Sequence, residues 1–118
     1  MSYFDGFVAA VPVANKQAYV DQSRHAWETM FKGWGALSHF EGWGDDVPDG
    51  EVTSFPMAVK KRDDEVVVFS WVEWPDKATR DAAWGKMMEQ GPEAMGEMPF
   101  DGKRMIFGGF APVFHERA

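Results

Sequence analysis

EVVVFSWVEW, residues 65–74, is the most strand-like stretch of the chain. Its odd positions are Glu65, Val67, Phe69, Trp71 and Glu73; its even positions are Val66, Val68, Ser70, Val72 and Trp74. Successive side chains of a strand point to opposite faces of the sheet. Both sets are apolar through the middle. A strand wetted on one face alternates apolar with polar, so this one is expected to be covered on both. YFDGFVAAV, residues 3–11, behaves alike, with Phe4, Val8 and Ala10 on one side and Tyr3, Phe7, Ala9 and Val11 on the other.

Outward from these two strands the chain alternates its periods. Pro12 closes the first strand, and Asn15 is placed to cap a helix over about 16–32. Tyr19, Ser23, Ala26 and Met30, with Val20, Trp27, Phe31 and Trp34, recur at helical spacing along one face. Gly33 and Gly35 end that helix by supplying positive φ. ALSHFEGWG at 36–44 reads as a second strand, and VPDG at 47–50 as a turn. Residues 55–61 read as weakly extended, with Pro56 arguing for an edge. Pro75-Asp76 opens a second helix over about 76–90, with Ala83, Trp84, Met87 and Met88 facing inward. Gly91-Pro92 stops it, and 103–110 supplies a last strand. The order β-α-β-β-α-β predicts an α+β, ferredoxin-like antiparallel sheet with two helices on one face, a single domain spanning 1–118.

That architecture leaves one face bare. Four strands about 4.8 Å apart make a sheet roughly 19 Å wide, and two helices about 10 Å across cover one side of it. The other side would expose several hundred Å² of apolar surface, enough to imply an interaction. A loop, 44–56 or 91–103, could fold over it. A second subunit packed sheet to sheet is the expectation adopted, giving a homodimer.

Composition narrows the partners. Asp and Glu number 19 against 12 Lys and Arg, a formal charge of −7. The only basic run, Lys60-Lys61-Arg62, is answered at once by Asp63-Asp64-Glu65, so nucleic acid is not expected. No apolar run approaches the roughly 20 residues of a membrane span. The N-terminal segment lacks a signal peptide's basic flank. The absence of cysteine removes disulfides and thiolate chemistry, in keeping with a reducing cytoplasm, the expected location.

Few residues are arranged for chemistry. WGDDVPDG (43–50) fails as a calcium loop, because counting from Asp45 the third position is Val47 and the twelfth Pro56. His25, His39 and His115 are scattered, so no metal or cofactor is expected. Ser70 lies inside a strand, without the strained turn of a nucleophile elbow. Leu37, His39, Glu41, Trp43 and Asp45 share a strand face, setting a carboxylate beside an indole. Burial there would raise a Glu pKa and ready it for proton transfer; an edge strand wetted by solvent is the plainer reading. Trp34, Trp43, Trp71 and Trp74, with Met87, Met88, Met95 and Met98, could line a pocket for a flat apolar ligand, or simply form a core. Arg104 could pair with Glu41 or Glu73, or clamp an anion.

DGFVAAVP (5–12), EGWGDDVPDG (41–50), VVVFSWVEWP (66–75) and MPFDGKRMIFGGF (98–110) together resemble the small bacterial YbaA-like family of unknown function. The resemblance covers nearly the whole chain. It implies the dimeric α+β barrel superfamily, whose members include cofactor-independent monooxygenases, haem-degrading enzymes and muconolactone isomerases, all using a cavity between sheet and helices. The chain departs from the family pattern at His39 and Pro56, whereas Glu41 is retained. The expectation is a protein that binds a small aromatic or apolar molecule. Glu41 would be an acid or base, Trp43 and Trp71 a platform, Arg104 an anion clamp and Asp45 part of the rim. The rival expectation is a noncatalytic dimeric interaction module with no pocket.

Overall fold

Strand β1 (Tyr3–Pro12) and strand β3 (Glu65–Trp74) pair antiparallel along their full lengths, Tyr3 opposite Trp74 and Pro12 opposite Glu65. Strand β2 (Ser38–Trp43) adds to β3, and β4 (Ile106–Phe110) adds to β1. The sheet order is β2-β3-β1-β4, every neighbouring pair antiparallel. The computed structural model describes residues 1–118 except the side chain of Met95, so the expected part of Met95 in a pocket lies outside the described residues.

Helices α1 (Lys16–Ala26) and α3 (Lys77–Gln90) lie on one face, as the β-α-β-β-α-β order requires. Ala26, Met30 and Phe31 from the first helical segment and Ala83 from α3 pack on Val72 and Trp74 of β3. The first helix does not run evenly to residue 32. Its last turn, Trp27–Phe31, widens to a π turn closed by Lys32 N–H on the Trp27 carbonyl at 3.0 Å. Consecutive Met30 and Phe31 are both buried there.

Several local expectations are corrected. Asn15 caps nothing; its amide donates to the Pro99 carbonyl at 2.8 Å, tying the 91–100 segment to the start of α1. Residues Phe55–Ala58 form a short helix, α2, not an extended segment, because the Ser54 hydroxyl accepts from Met57 N–H at 3.1 Å and Pro56 suits a first turn. β4 begins at Ile106, since Asp101 accepts from Lys103 N–H and winds Gly102–Arg104 into a 3-10 turn. Met88 is 79% exposed and Met87 packs on the core in its place. Residues 47–50 carry no regular turn; the chain bends at 45–46 and 51–52, and Gly50 sits at φ 69°, where an added Cβ would strike the Thr53 carbonyl.

The face opposite the helices is sheltered mainly at its ends, with Phe55 of α2 also meeting Phe69 edge-on at 6.0 Å. Val59, just after α2, is fully buried against Val8, Ala10 and Val67. At the other end His115 meets the Phe4 ring edge-on at 5.4 Å, and the Arg117 guanidinium stands 3.6 Å from Glu73. Between them Phe40 stacks on Trp71 at 4.3 Å and Phe69 meets Trp71 edge-on, with Phe40, Phe69, Ile106 and Phe110 exposed. The 44–56 alternative is thus met in part by α2. The 91–103 segment lies on the helix side, where Phe100 packs against Tyr19.

Candidate functional site

Between α1, α3 and the sheet lies a cavity of about 290 Å³. Its walls are mostly apolar, with Phe31, Trp74, Trp84, Phe100 and Phe107 among them, and two carboxylates reach it, Glu41 and Asp5.

Glu41 comes from the middle of β2, directly opposite Ser70 of β3. The Tyr19 hydroxyl donates to Glu41 Oε1 at 2.6 Å, and His39 Nε2 lies 2.7 Å from Oε2. Tyr19 projects from α1 onto this strand pair. Burial, then the adjacent Glu41 charge, pushes the Tyr19 phenol far above its ordinary value, so it stays a neutral donor. His39 is fixed by the edge of Phe31 at 5.5 Å. Among the described residues each Glu41 oxygen has one hydrogen-bond partner, leaving a lone pair. Such a carboxylate can accept a proton or hold a donor headgroup.

Asp5 is 2% exposed and fully engaged. Oδ2 accepts from Trp74 Nε1 at 2.9 Å and Trp84 Nε1 at 3.0 Å; Oδ1 accepts from Arg80 Nε at 3.0 Å and pairs with the Arg80 Nη2 charge 2.9 Å away. This group braces β1, β3 and α3 together. Sequence reasoning passed over both Asp5 and Tyr19. The signal for Asp5 was the lone acid in an otherwise apolar strand; Tyr19 looked like one more stripe residue.

The expected site residues do not gather. Glu41 reaches the cavity. Trp43 shares its face but packs farther along, against Val11, Tyr19 and Val68, with the Lys16 ammonium 5.2 Å over its ring. Asp45 is exposed beyond the end of β2, beside a separate shallow cleft with Val47, Asp49 and Lys61. Trp71 lies on the opposite side of the sheet, so it forms no platform with Glu41. Arg104 pairs with neither Glu41 nor Glu73. It grips Glu65 through two bonds, Nη1 to Oε1 at 2.8 Å and Nη2 to Oε2 at 2.6 Å, and reaches Asp101 and the Lys60 carbonyl. The Arg104 bonds, outweighing burial, hold the Glu65 carboxyl below its ordinary range. Arg104 is therefore an anchor for α2 and the last turn, not a clamp on the cavity. Among the described residues, no group of three or more His, Asp or Glu is arranged for a metal ion, and no helix is long and apolar enough to cross a membrane.

Residues 2–102 match a family described as "Protein of unknown function (DUF1428)". The uncharacterized protein YbaA of Escherichia coli K12 is 53% identical over 118 residues, spanning 98% of this chain and all of YbaA. The YbaA of Shigella flexneri matches to the same extent. Among solved structures, a dimeric ferredoxin-like protein from an uncultured marine organism superposes with a TM-score of 0.61 at 12% identity, over 98% of this chain and all of that one. At that identity the likeness bears on the fold alone.

Proposed function

We propose, from the premise that this chain belongs to the DUF1428 family of proteins of unknown function, that it binds a small apolar or aromatic molecule between sheet and helices. The observation that carries this reading is a mostly apolar cavity of about 290 Å³ lined by a carboxylate with open lone pairs. Protein interiors are packed to near crystal density, with few voids larger than a water. A space this size reaches the lower end of ligand sites, roughly 300–1,000 Å³, and has their usual make-up of apolar walls with few convergent polar groups. Where turnover accompanies binding, Glu41 is the group to move the proton, without a cofactor, on an aromatic or lactone substrate.

The working unit in this proposal is a homodimer packed through the bare face. Phe40, Phe69, Trp71, Ile106 and Phe110 supply its contact surface. The dimeric state of the marine ferredoxin-like protein supports this assembly. The exposed aromatics equally favour the second reading, a dimeric interaction module, and the cavity is what separates the two.

Titration with N-phenyl-1-naphthylamine, an uncharged fluorescent probe, tests the proposal. Saturation at one probe per chain, abolished by Ser23→Phe, which fills the cavity from α1, is the expected result. Unsaturable binding, or binding indifferent to Ser23→Phe, would leave only the interaction module.

A further inference from the structure

Resting on that binding reading, we infer that the cavity is built for a hydrophobic amine in its protonated form. The inference begins with the charges on the walls. Glu41 and Asp5 are the acidic residues lining the cavity, and among the described residues no lysine or arginine lines it. The two acids differ in what they have left to offer. Asp5 receives four donor contacts, two of them from the Arg80 guanidinium, so its charge is balanced and its oxygens are filled.

Glu41 is placed otherwise. Its partners are a phenol held neutral by burial and an imidazole, and its side chain is 26% exposed, so a ligand can reach it. Beyond that phenol and imidazole, no lysine or arginine among the residues lining the cavity stands beside this carboxylate at the edge of an apolar space. A charge in that setting is costly until paired. An ammonium satisfies it, an alcohol satisfies its hydrogen bonding only, and an anion is repelled. The aromatic residues Tyr19, Phe31 and Trp74 among the walls suit a cation and an aromatic body, whereas the Trp84 ring is already engaged by the Arg80 guanidinium at 5.3 Å. The anion clamp expected of Arg104 is absent from this space, since that guanidinium is committed to Glu65 and Asp101.

The test is calorimetric titration of the intact protein with three ligands of one shape: tryptamine, tryptophol and indole-3-acetate. Near-physiological salt shortens the reach of the chain's overall negative charge to about 8 Å. The expected order is tryptamine tightest, by about tenfold over tryptophol, with indole-3-acetate weakest. Glu41→Gln should erase the amine's advantage over the alcohol. If that variant does not fold, the wild-type order decides alone. Equal binding of amine and alcohol overturns the inference, as does preference for the acetate. Failure of all three ligands while N-phenyl-1-naphthylamine still saturates the cavity also overturns it and leaves the binding reading standing. Failure of the neutral probe is failure of that earlier reading.

Discussion

The two faces of the sheet invert the usual rule. On the helix side, Asp5, Ser70 and Tyr19 are buried polar groups, and hydrogen bonds link Asp5 and Tyr19 to Arg80, two indoles and Glu41. On the other side, Phe40, Phe69 and Phe110 are apolar and 40–62% exposed. Buried polar groups need partners to offset desolvation, and exposed aromatics gain by being covered. In the proposed reading the difference separates two roles: the covered face organises polar groups around the cavity proposed for a ligand, and the bare face is the surface proposed for association. Its ends are already closed by α2 and by the contacts of His115 and Arg117, leaving a bounded central patch.

The severest break should come on the covered face. Asp5→Ala strips two indole N–H groups and Arg80 of their acceptor, and removing one partner of such a buried pair costs about 3–5 kcal/mol. Urea unfolding should detect it; a loss within experimental error would mean that Asp5 does not brace the fold. Next in size, Phe69→Glu buries a charge in the proposed contact and should raise the dimer dissociation constant about a hundredfold, read by sedimentation, with the helical signal retained. Wild-type protein sedimenting at the 13.3 kDa of one chain would contradict the assembly outright.

A smaller effect sharpens the contrast through pH. Glu65 and Glu73 both belong to the bare face, and both carboxyls lie below their ordinary value of 4.5. For Glu65 the Arg104 bonds dominate; for Glu73, burial pushes upward but is outweighed by the Ser2 and Ser38 hydroxyls and by Arg117. A depressed carboxyl stabilises the fold above its unfolded-state value and loses that contribution as pH falls through the folded one. Stability should therefore decline below about pH 4.5, and Glu65→Gln should flatten part of that decline in thermal melts. An unchanged acid profile would remove Glu65 from the account. The smallest change is Ser54→Ala, which loses the cap of α2 at about 1 kcal/mol. It should loosen hydrogen exchange around Val59 and leave the cavity side undisturbed.

What the sequence disclosed was parity within a strand. EVVVFSWVEW declares two apolar faces, and the two periods of helix and strand deliver the β-α-β-β-α-β order. It could not declare which parity of β2 shares a face with which parity of β3, because that depends on pairing register. Glu41 sits opposite Ser70, one residue from Trp71, and that single step puts the expected platform on the far side of the sheet. Arg104 was misassigned for a related reason: several acids lay within reach of a long side chain, and only the fold brings Glu65 to it. The helix at Phe55–Ala58 hid behind Pro56, which reads as a strand breaker until the Ser54 cap is noticed.

Titration of the Phe69→Glu monomer with N-phenyl-1-naphthylamine tests the division of labour between the faces most directly. The account predicts one site per chain with affinity within about twofold of wild type, as distant independent sites behave. Binding that vanishes together with the dimer would put the ligand at the subunit contact and contradict the account.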